Sequence, residues 1–231
     1  LNLIKQGVIM KKTIIFLFAA MLMAFPVNAD SKRIGITGSS ATIDSTVKDD
    51  IDSNGTTDTT KDISNDVDFG SIFFELSKDL GPMTLTYGVD LIPFSAEFDS
   101  RSASQSSLKD KASSASTGTN RGTVDVSNHL TFYLQPGYEV NGVTVFGTLG
   151  YVTADADADG SSISSSNLSK TVTLDGVKLG IGVAKDFGGM FVKLEYAETD
   201  YDDISVTTAN NTKITADIDN QVTSLSVGRS F

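Results

Sequence analysis

The chain has 231 residues, no cysteine, and 29 acidic against 18 basic residues, which gives a formal net charge of −11 at pH 7. A chain this acidic is a poor candidate for nucleic-acid binding, because affinity for phosphates comes largely from Lys and Arg. Without cysteine there are no disulfide bridges and no thiolate metal sites, so stability must come from packing and backbone pairing.

The first 29 residues predict an export signal. Two lysines follow Met10, an apolar run covers residues 14–25, and small residues end at Ala29, which is the arrangement that a signal peptidase cleaves. A run of about a dozen apolar residues is too short to cross a ~30 Å hydrocarbon core as a helix, which argues against a membrane anchor. We therefore predict cleavage after Ala29, exclude residues 1–9 as upstream of the initiator, and expect residues 30–231 to form one domain.

Eight later segments alternate apolar with small or polar residues, which is the period of a β-strand with one apolar face. The pattern is clearest in residues 176–184, where Val177, Leu179 and Ile181 alternate with a lysine and glycines. The predicted strands are residues 32–43, 67–77, 83–98, 123–138, 142–154, 171–185, 190–201 and 215–231. Each can supply the roughly 9–11 residues that a tilted membrane strand needs.

The connections between these segments run long, short, long, short, long, short, long. The short ones carry turn residues, above all Asn141-Gly142, because a type I′ turn needs two residues that tolerate positive φ. The long ones, residues 44–66, 99–122, 155–170 and 202–214, are rich in Ser, Thr, Asp, Asn and Gly, and we expect them to be mobile. This layout predicts an all-β fold, an eight-stranded antiparallel transmembrane β-barrel with short periplasmic turns, long extracellular loops and both termini in the periplasm.

Two details bear on this prediction. Pro93 interrupts the third segment, and since a closed barrel has no edge strand that tolerates a missing N–H, we place Pro93 at the outer rim, where it marks a bulge. A water-soluble barrel or sandwich is the alternative, with the apolar face inside. The opposite face, rich in Gly, Ser and Thr with several charges, is a poor soluble exterior but suits a narrow polar lumen.

The C-terminal segment carries a resemblance. Leu225, Val227 and Phe231 alternate and close on a terminal aromatic, which resembles the β-signal by which the barrel-assembly machinery recognises outer-membrane proteins, with Arg229 as a departure. Residues 134–151 and 176–196 resemble two hairpins of the opacity-protein and OmpA-like eight-stranded barrels. The resemblance implies a porin-like fold in a Gram-negative outer membrane, and members of this group act as envelope-stabilising proteins, adhesins or very small pores.

Ionisable residues gather on the predicted inward face, together with Tyr133. They are Arg33, Glu75, Asp90, His129, Lys178, Lys193 and Glu195. Such charges should pair in a narrow lumen, because an unpaired buried charge is costly, and we expect Arg33 to bind Glu75 and Lys178 to bind Glu195. Since eight strands enclose little more than their own side chains, we predict a lumen plugged by ion pairs, with a conducting filter as the alternative.

Two motifs invite a chemical interpretation. His129, the only histidine, precedes Thr131 by two residues. Outer-membrane lipid A deacylases place a His and a Ser hydroxyl at that spacing with a carboxylate, but this chain differs in the hydroxyl and the surrounding motif, so we predict no enzyme and a His129 bonded to Tyr133 or a carboxylate. Asp155, Asp157 and Asp159 copy the first half of an EF-hand loop without its later Glu, which makes them a weak calcium candidate beside the simpler interpretation as an acidic loop.

These patterns predict a cell-surface protein with a structural or adhesin-like role and a largely plugged lumen. The alternatives are a narrow non-specific porin and a lipid-modifying hydrolase. The expected partners are outer-membrane lipid and lipopolysaccharide, the barrel-assembly machinery, and an extracellular ligand reached through the loops. We expect no cofactor and no nucleic acid.

Overall fold

The computed structural model describes residues 29–50, 54–105, 118–161, 168–207 and 213–231. The predicted signal, up to residue 28, lies outside the described residues. Within these ranges the chain forms ten β-strands: β1 (Ser31–Asp50), β2 (Thr59–Leu80), β3 (Met83–Leu91), β4 (Ala96–Gln105), β5 (Gly118–Val140), β6 (Val143–Ser161), β7 (Leu168–Asp186), β8 (Met190–Tyr201), β9 (Ile204–Thr207) and β10 (Lys213–Ser230). The same ranges contain no helix with the length and apolar character needed to span a membrane.

Eight of these strands form a closed antiparallel ring. The order is β1-β2-β3-β5-β6-β7-β8-β10, and β10 pairs back with β1 from Arg33 opposite Ser230 to Asp50 opposite Lys213. The shorter β4 continues beyond β3 on β5, and β9 continues beyond β8 on β10. The predicted eight-stranded antiparallel barrel is confirmed. The turn at Asn141-Gly142 has the positive φ angles expected of it, 53° and 78°.

Five strands, β1, β2, β5, β6 and β7, run further than the sequence pattern indicates, whereas β3 ends earlier, at Leu91, and β8 has the predicted bounds. β1 continues to Asp50, and β2 begins at Thr59, opposite Asp49. β6 continues through Ser161, paired with β7 and β5. Where residues 44–66, 99–122, 155–170 and 202–214 lie in these paired strands, the expectation of mobile connections is therefore wrong. The reason is that cross-strand hydrogen bonds satisfy the backbone of these Ser-, Thr- and Asp-rich segments, so each extends a hairpin instead of leaving it.

The apolar residues change from the outer face of the barrel wall to its inner face along the strands. On β1, Ile34 and Ile36 point outward and are exposed, whereas Ala41 and Ile43 point inward and are buried. Because side chains alternate strictly, this requires a one-residue shift of the apolar phase between Ile36 and Ala41. The same shift occurs on β2, β6, β7 and β10. We call the part with apolar outward residues, which carries the short turns, the turn-end half, and the other part the loop-end half.

The ring divides in the loop-end half. β3 ends at Leu91, and Pro93 lies in the break before β4, so Pro93 terminates a strand where a bulge was expected. Among the described pairings, residues 59–71 of β2 pair only with β1, and β4 pairs only with β5. On the other side residues 168–175 of β7 pair only with β6, while β9 pairs with β10. Two sheets result, β2-β1-β10-β9 and β4-β5-β6-β7.

An apolar core fills the space between these two sheets. One cluster consists of Val152, Ala154, Ala156, Leu174 and Tyr201, with Val126, Ile204 and Ile218 against it. The other consists of Ala41, Ile43 and Val222, with Val67, Phe69 and Ile218 against it. Because Ile218 packs against both clusters, the loop-end half is built like the interior of a soluble β-protein.

Candidate functional site in the barrel lumen

Aromatic rings in the lumen lie across glycines of neighbouring strands. The cross-strand pairs are Gly35 with Phe73, Gly88 with Tyr133, Gly182 with Phe146, Gly228 with Phe191 and Gly176 with Tyr201. A Cβ added at Gly228 would lie 2.7 Å from the Phe191 ring, and one added at Gly88 would lie 2.5 Å from the Tyr133 ring. The absence of a side chain on each glycine thus leaves the room that a ring occupies.

A buried ion pair lies among these rings. Lys193 Nζ binds Glu75 Oε1, and the two residues are 5% and 0% exposed. The Tyr133 hydroxyl donates a second hydrogen bond to Glu75 Oε1 at 2.8 Å. The Lys193 ammonium also lies 5.0 Å from the Phe73 ring centroid and 5.7 Å from that of Phe146. One carboxylate and several ring faces therefore compensate the Lys193 charge away from water.

A second ion pair is joined to the first through Gln135. As expected from the sequence, Lys178 Nζ lies 2.7 Å from Glu195 Oε1. Gln135 Nε2 donates to Glu195 Oε2 at 3.1 Å, and Gln135 Oε1 accepts from Lys193 Nζ at 3.3 Å. The amide therefore uses its donor on one pair and its acceptor on the other. Gln135 was not among the predicted lumen residues, although it lies two residues after Tyr133 and therefore on the same inward face.

Arg33 does not bind Glu75, and that prediction is wrong. The register places the two residues opposite each other on β1 and β2, but Arg33 donates to Asp186 Oδ2 at 2.9 Å and its guanidinium carbon lies 5.1 Å from the Phe191 ring centroid. Glu75 is already engaged by Lys193. Pairing with Asp186, which is half exposed at the turn end, also spares Arg33 the cost of full desolvation.

Asp90 and His129 lie further toward the loop end. Asp90 Oδ2 accepts from the Ser71 hydroxyl at 2.7 Å. His129 Nε2 lies 3.3 Å from the Tyr201 hydroxyl, so the prediction that His129 binds Tyr133 or a carboxylate is wrong. The Tyr201 phenol thus contacts the ring nitrogen at which a hydrolase of this type would need the Thr131 hydroxyl.

The ion pairs leave a small polar cavity. Its volume is about 60 Å³, and its lining includes Asp90, His129, Lys178, Glu195 and Asn220. A cavity of this size holds a few water molecules. Sites for organic ligands are several times larger, about 300 Å³ or more. The arrangement is therefore suited to holding charges and water in place, and not to binding a substrate.

The weak calcium candidate lies in an extended strand, so the acidic loop expected at these residues is wrong. Asp155, Asp157 and Asp159 belong to β6, where Asp155 accepts from the Asn128 amide at 2.9 Å and Asp157 from the Thr171 hydroxyl. Same-face residues of a strand lie about 6.6 Å apart, so Asp155 and Asp159 lie about 13 Å apart and the three carboxylates cannot converge on one ion. The part of the chain that the structure describes has no cluster of three residues suited to hold a metal.

The predicted assembly residues close the ring. Leu225 and Val227 point outward and are exposed, as is Phe231. The backbone of Phe231 exchanges two hydrogen bonds of 2.9 Å with Lys32. Their role as a recognition signal stays a prediction.

Comparison with protein-family models and with curated proteins finds no match. Similar solved structures include Ail, the attachment invasion locus protein of Yersinia pestis, in complex with sucrose octasulfate, at 12% identity and TM-score 0.43 over 87% of this chain and 99% of that one. Outer membrane protease OmpT from Escherichia coli is 11% identical, with a TM-score of 0.47, over 88% of this chain and 97% of that one. Neisserial surface protein A is 8% identical, with a TM-score of 0.34, over 85% of this chain and 97% of that one. Likeness this distant transfers neither a site nor an activity to this chain.

Proposed function

We propose that this chain is a non-conducting barrel of a bacterial outer membrane that anchors a rigid β-structure at the cell surface, for structural or adhesive contacts. The observation that carries the proposal is the filled lumen. The network from Glu75 through Lys193, Gln135 and Glu195 to Lys178 crosses the barrel from β2 to β7, and aromatic rings pack beside it. Transport of a solute would require this network to come apart.

The turn-end half supports membrane embedding. Its outward residues form an apolar belt, in which Ile36 is 61%, Leu179 is 59% and Ile181 is 68% exposed. Apolar area of this extent is unfavourable in water but favourable in lipid. Strands satisfy their backbone groups only in a closed ring, which the turn-end half provides.

The loop-end half supports the surface role. Its apolar residues point inward, and its outward residues are polar, with many acidic residues among them. In the proposed orientation it projects outside the cell while the short turns and both termini face the periplasm. A paired, well-packed body presents a more fixed surface to a partner than mobile loops do, which lowers the entropic cost of binding.

Membrane embedding is tested with two arginines on the outer face of β7. Leu179→Arg lies in the apolar belt and should lower the stability of the vesicle-inserted barrel by about 2–4 kcal/mol near the midplane. Thr173→Arg lies on the same face in the loop-end half and should cost less than about 1 kcal/mol. Urea unfolding from lipid vesicles measures both, and equal costs would contradict the embedding.

The filled lumen is tested by single-channel recording. The parent chain in a planar bilayer should be almost silent, and Lys178→Gln should raise conductance because it leaves Glu195 without its counter-charge and admits water. Lys170→Gln, an exposed change in the loop-end half, is the control and should be as silent as the parent. A parent that conducts steadily would favour the second candidate, a narrow pore, for which the polar lining of the cavity is the supporting observation.

A further inference from the structure

Cations border the apolar belt on the turn side. On four strands the outward position next to the last apolar residue is basic, and we call these residues the basic rim: Lys32 on β1, Lys78 on β2, Lys185 on β7 and Arg229 on β10. Lys78 is bound to Asp30 at 2.9 Å. Among the described contacts, Lys32, Lys185 and Arg229 are exposed and have no carboxylate partner.

These three cations occupy one sector of the wall. Arg229 pairs with Ile34, one outward position from Lys32, whose backbone is bonded to Phe231. Lys185 on β7 pairs with Val192 on β8, and Val192 pairs on its other side with Val227 on β10, so one strand lies between Lys185 and Arg229. The rim therefore brings three exposed cations into one sector of the wall of an acidic chain.

Exposed aromatic rings lie at the same level as the basic rim. Phe187, in the turn after β7, is 5.5 Å from Lys185 Nζ, and Phe231 ends the chain beside Lys32. Both rings are exposed. Aromatic residues gather where acyl chains meet headgroups, so this level matches the headgroup layer of a membrane.

The opposite border of the belt has the opposite sign. On six strands the first outward charge beyond the belt is acidic, and these residues are Asp44, Asp68, Asp155, Asp175, Glu198 and Asp219. Anionic headgroups would be attracted at the basic rim and repelled at this acidic border. The two leaflets that the barrel contacts are therefore not equivalent to it.

We propose that the basic rim binds the phosphate groups of anionic phospholipids in the leaflet on the turn side. This inference rests on the proposed membrane embedding. A cation close to an anionic leaflet raises the local affinity by about fivefold, so three unpaired cations give a marked preference over a zwitterionic lipid. The contact is electrostatic and lies at the surface, so it should weaken as salt is added.

The test uses the full chain inserted into vesicles of phosphatidylcholine and into equimolar vesicles of phosphatidylcholine and phosphatidylglycerol. Spin-labelled phosphatidylglycerol and phosphatidylcholine report, through the immobilised fraction of label, the relative affinity of the barrel for each lipid. The parent should prefer the anionic lipid by at least fivefold, and the combined variant Lys32→Gln, Lys185→Gln and Arg229→Gln should lose that preference.

A matched control removes three exposed lysines of the loop-end half, through Lys48→Gln, Lys170→Gln and Lys213→Gln. This change alters net charge equally and should retain the preference. A parent without preference, or a control that loses as much as the rim variant, would overturn the inference while leaving the embedded barrel intact.

Two further measurements apply if the combined variant fails to fold or if the barrel is not embedded in the membrane. If the combined rim variant does not fold, Lys185→Gln and Arg229→Gln are measured singly, and each should lower the preference severalfold with a reduced dependence on salt. Two single variants that keep the parent's preference refute the basic rim. No immobilised label with either lipid would refute the embedding as well.

Discussion

Replacing Lys193 and Glu75 singly and together should show strong coupling between the two charges. In Lys193→Met the Glu75 carboxylate, which is 0% exposed, keeps the hydrogen bond from the Tyr133 hydroxyl but loses its counter-charge. An uncompensated charge of this kind costs about 3–5 kcal/mol. In Glu75→Gln the lysine still has Gln135 and the faces of the surrounding rings, so the expected cost is about 1.5–3 kcal/mol, the value of a hydrogen bond to a charged group.

The double variant distinguishes this reasoning from simple loss of packing. With both charges absent, no buried charge is left uncompensated, so the combined loss should fall below the sum of the single losses by at least about 1 kcal/mol. Reversible urea unfolding from detergent micelles, followed by tyrosine fluorescence, measures all four proteins. Single variants that each cost under about 1 kcal/mol, with a strictly additive double variant, would refute the claim that Glu75 depends on Lys193.

Two further predictions concern the lumen wall and the turn end. Gly182→Ala should lower the unfolding free energy by about 1–3 kcal/mol, because the new methyl group overlaps the Phe146 ring. Gly38→Ala is the control and should change the unfolding free energy little in the same assay, because nothing lies within 4 Å of the added methyl group. Similar losses for the two variants would contradict the packing of rings over glycines. The backbone N–H of Asp79 holds the pKa of Asp30 below its usual 3.8, so Asp30→Asn should destabilise the barrel at neutral pH, and the difference should vanish as pH falls well below 3.8. A difference that persists in acid would exclude the carboxylate as its cause.

The alternation of apolar and polar residues along the strands was enough to predict the strands of the barrel and the face on which each residue lies. The alternation in residues 176–184 identified the strand, and the same rule placed Lys178 and Glu195 on one inward face of a hairpin, where they bind. The partner of Glu75 was beyond that rule. Lys193 lies on β8, which is not adjacent to β2 in the ring, so their contact crosses the lumen and depends on the closed barrel.

The loop-end half was misjudged for a different reason. On β1 the apolar residues change from even to odd positions between Ile36 and Ala41, which resembles the end of a strand when a single period is sought. The physical cause is a change of surroundings: a strand in lipid turns its apolar residues outward, and the same strand in water turns them inward. A shift in phase without a turn signal predicts a strand that passes from one solvent to the other.

That shift in phase also fixes the height at which the proposed barrel rests. If the barrel sinks toward the turn side by one outward residue, acidic groups such as Asp68 and Asp175 approach the hydrocarbon, while Lys32 and Arg229 lose the headgroup layer. If it rises, the apolar belt enters water and the cations are drawn inward. Displacement in either direction therefore raises the free energy. The strand sequences thus define one preferred depth of the barrel in the membrane.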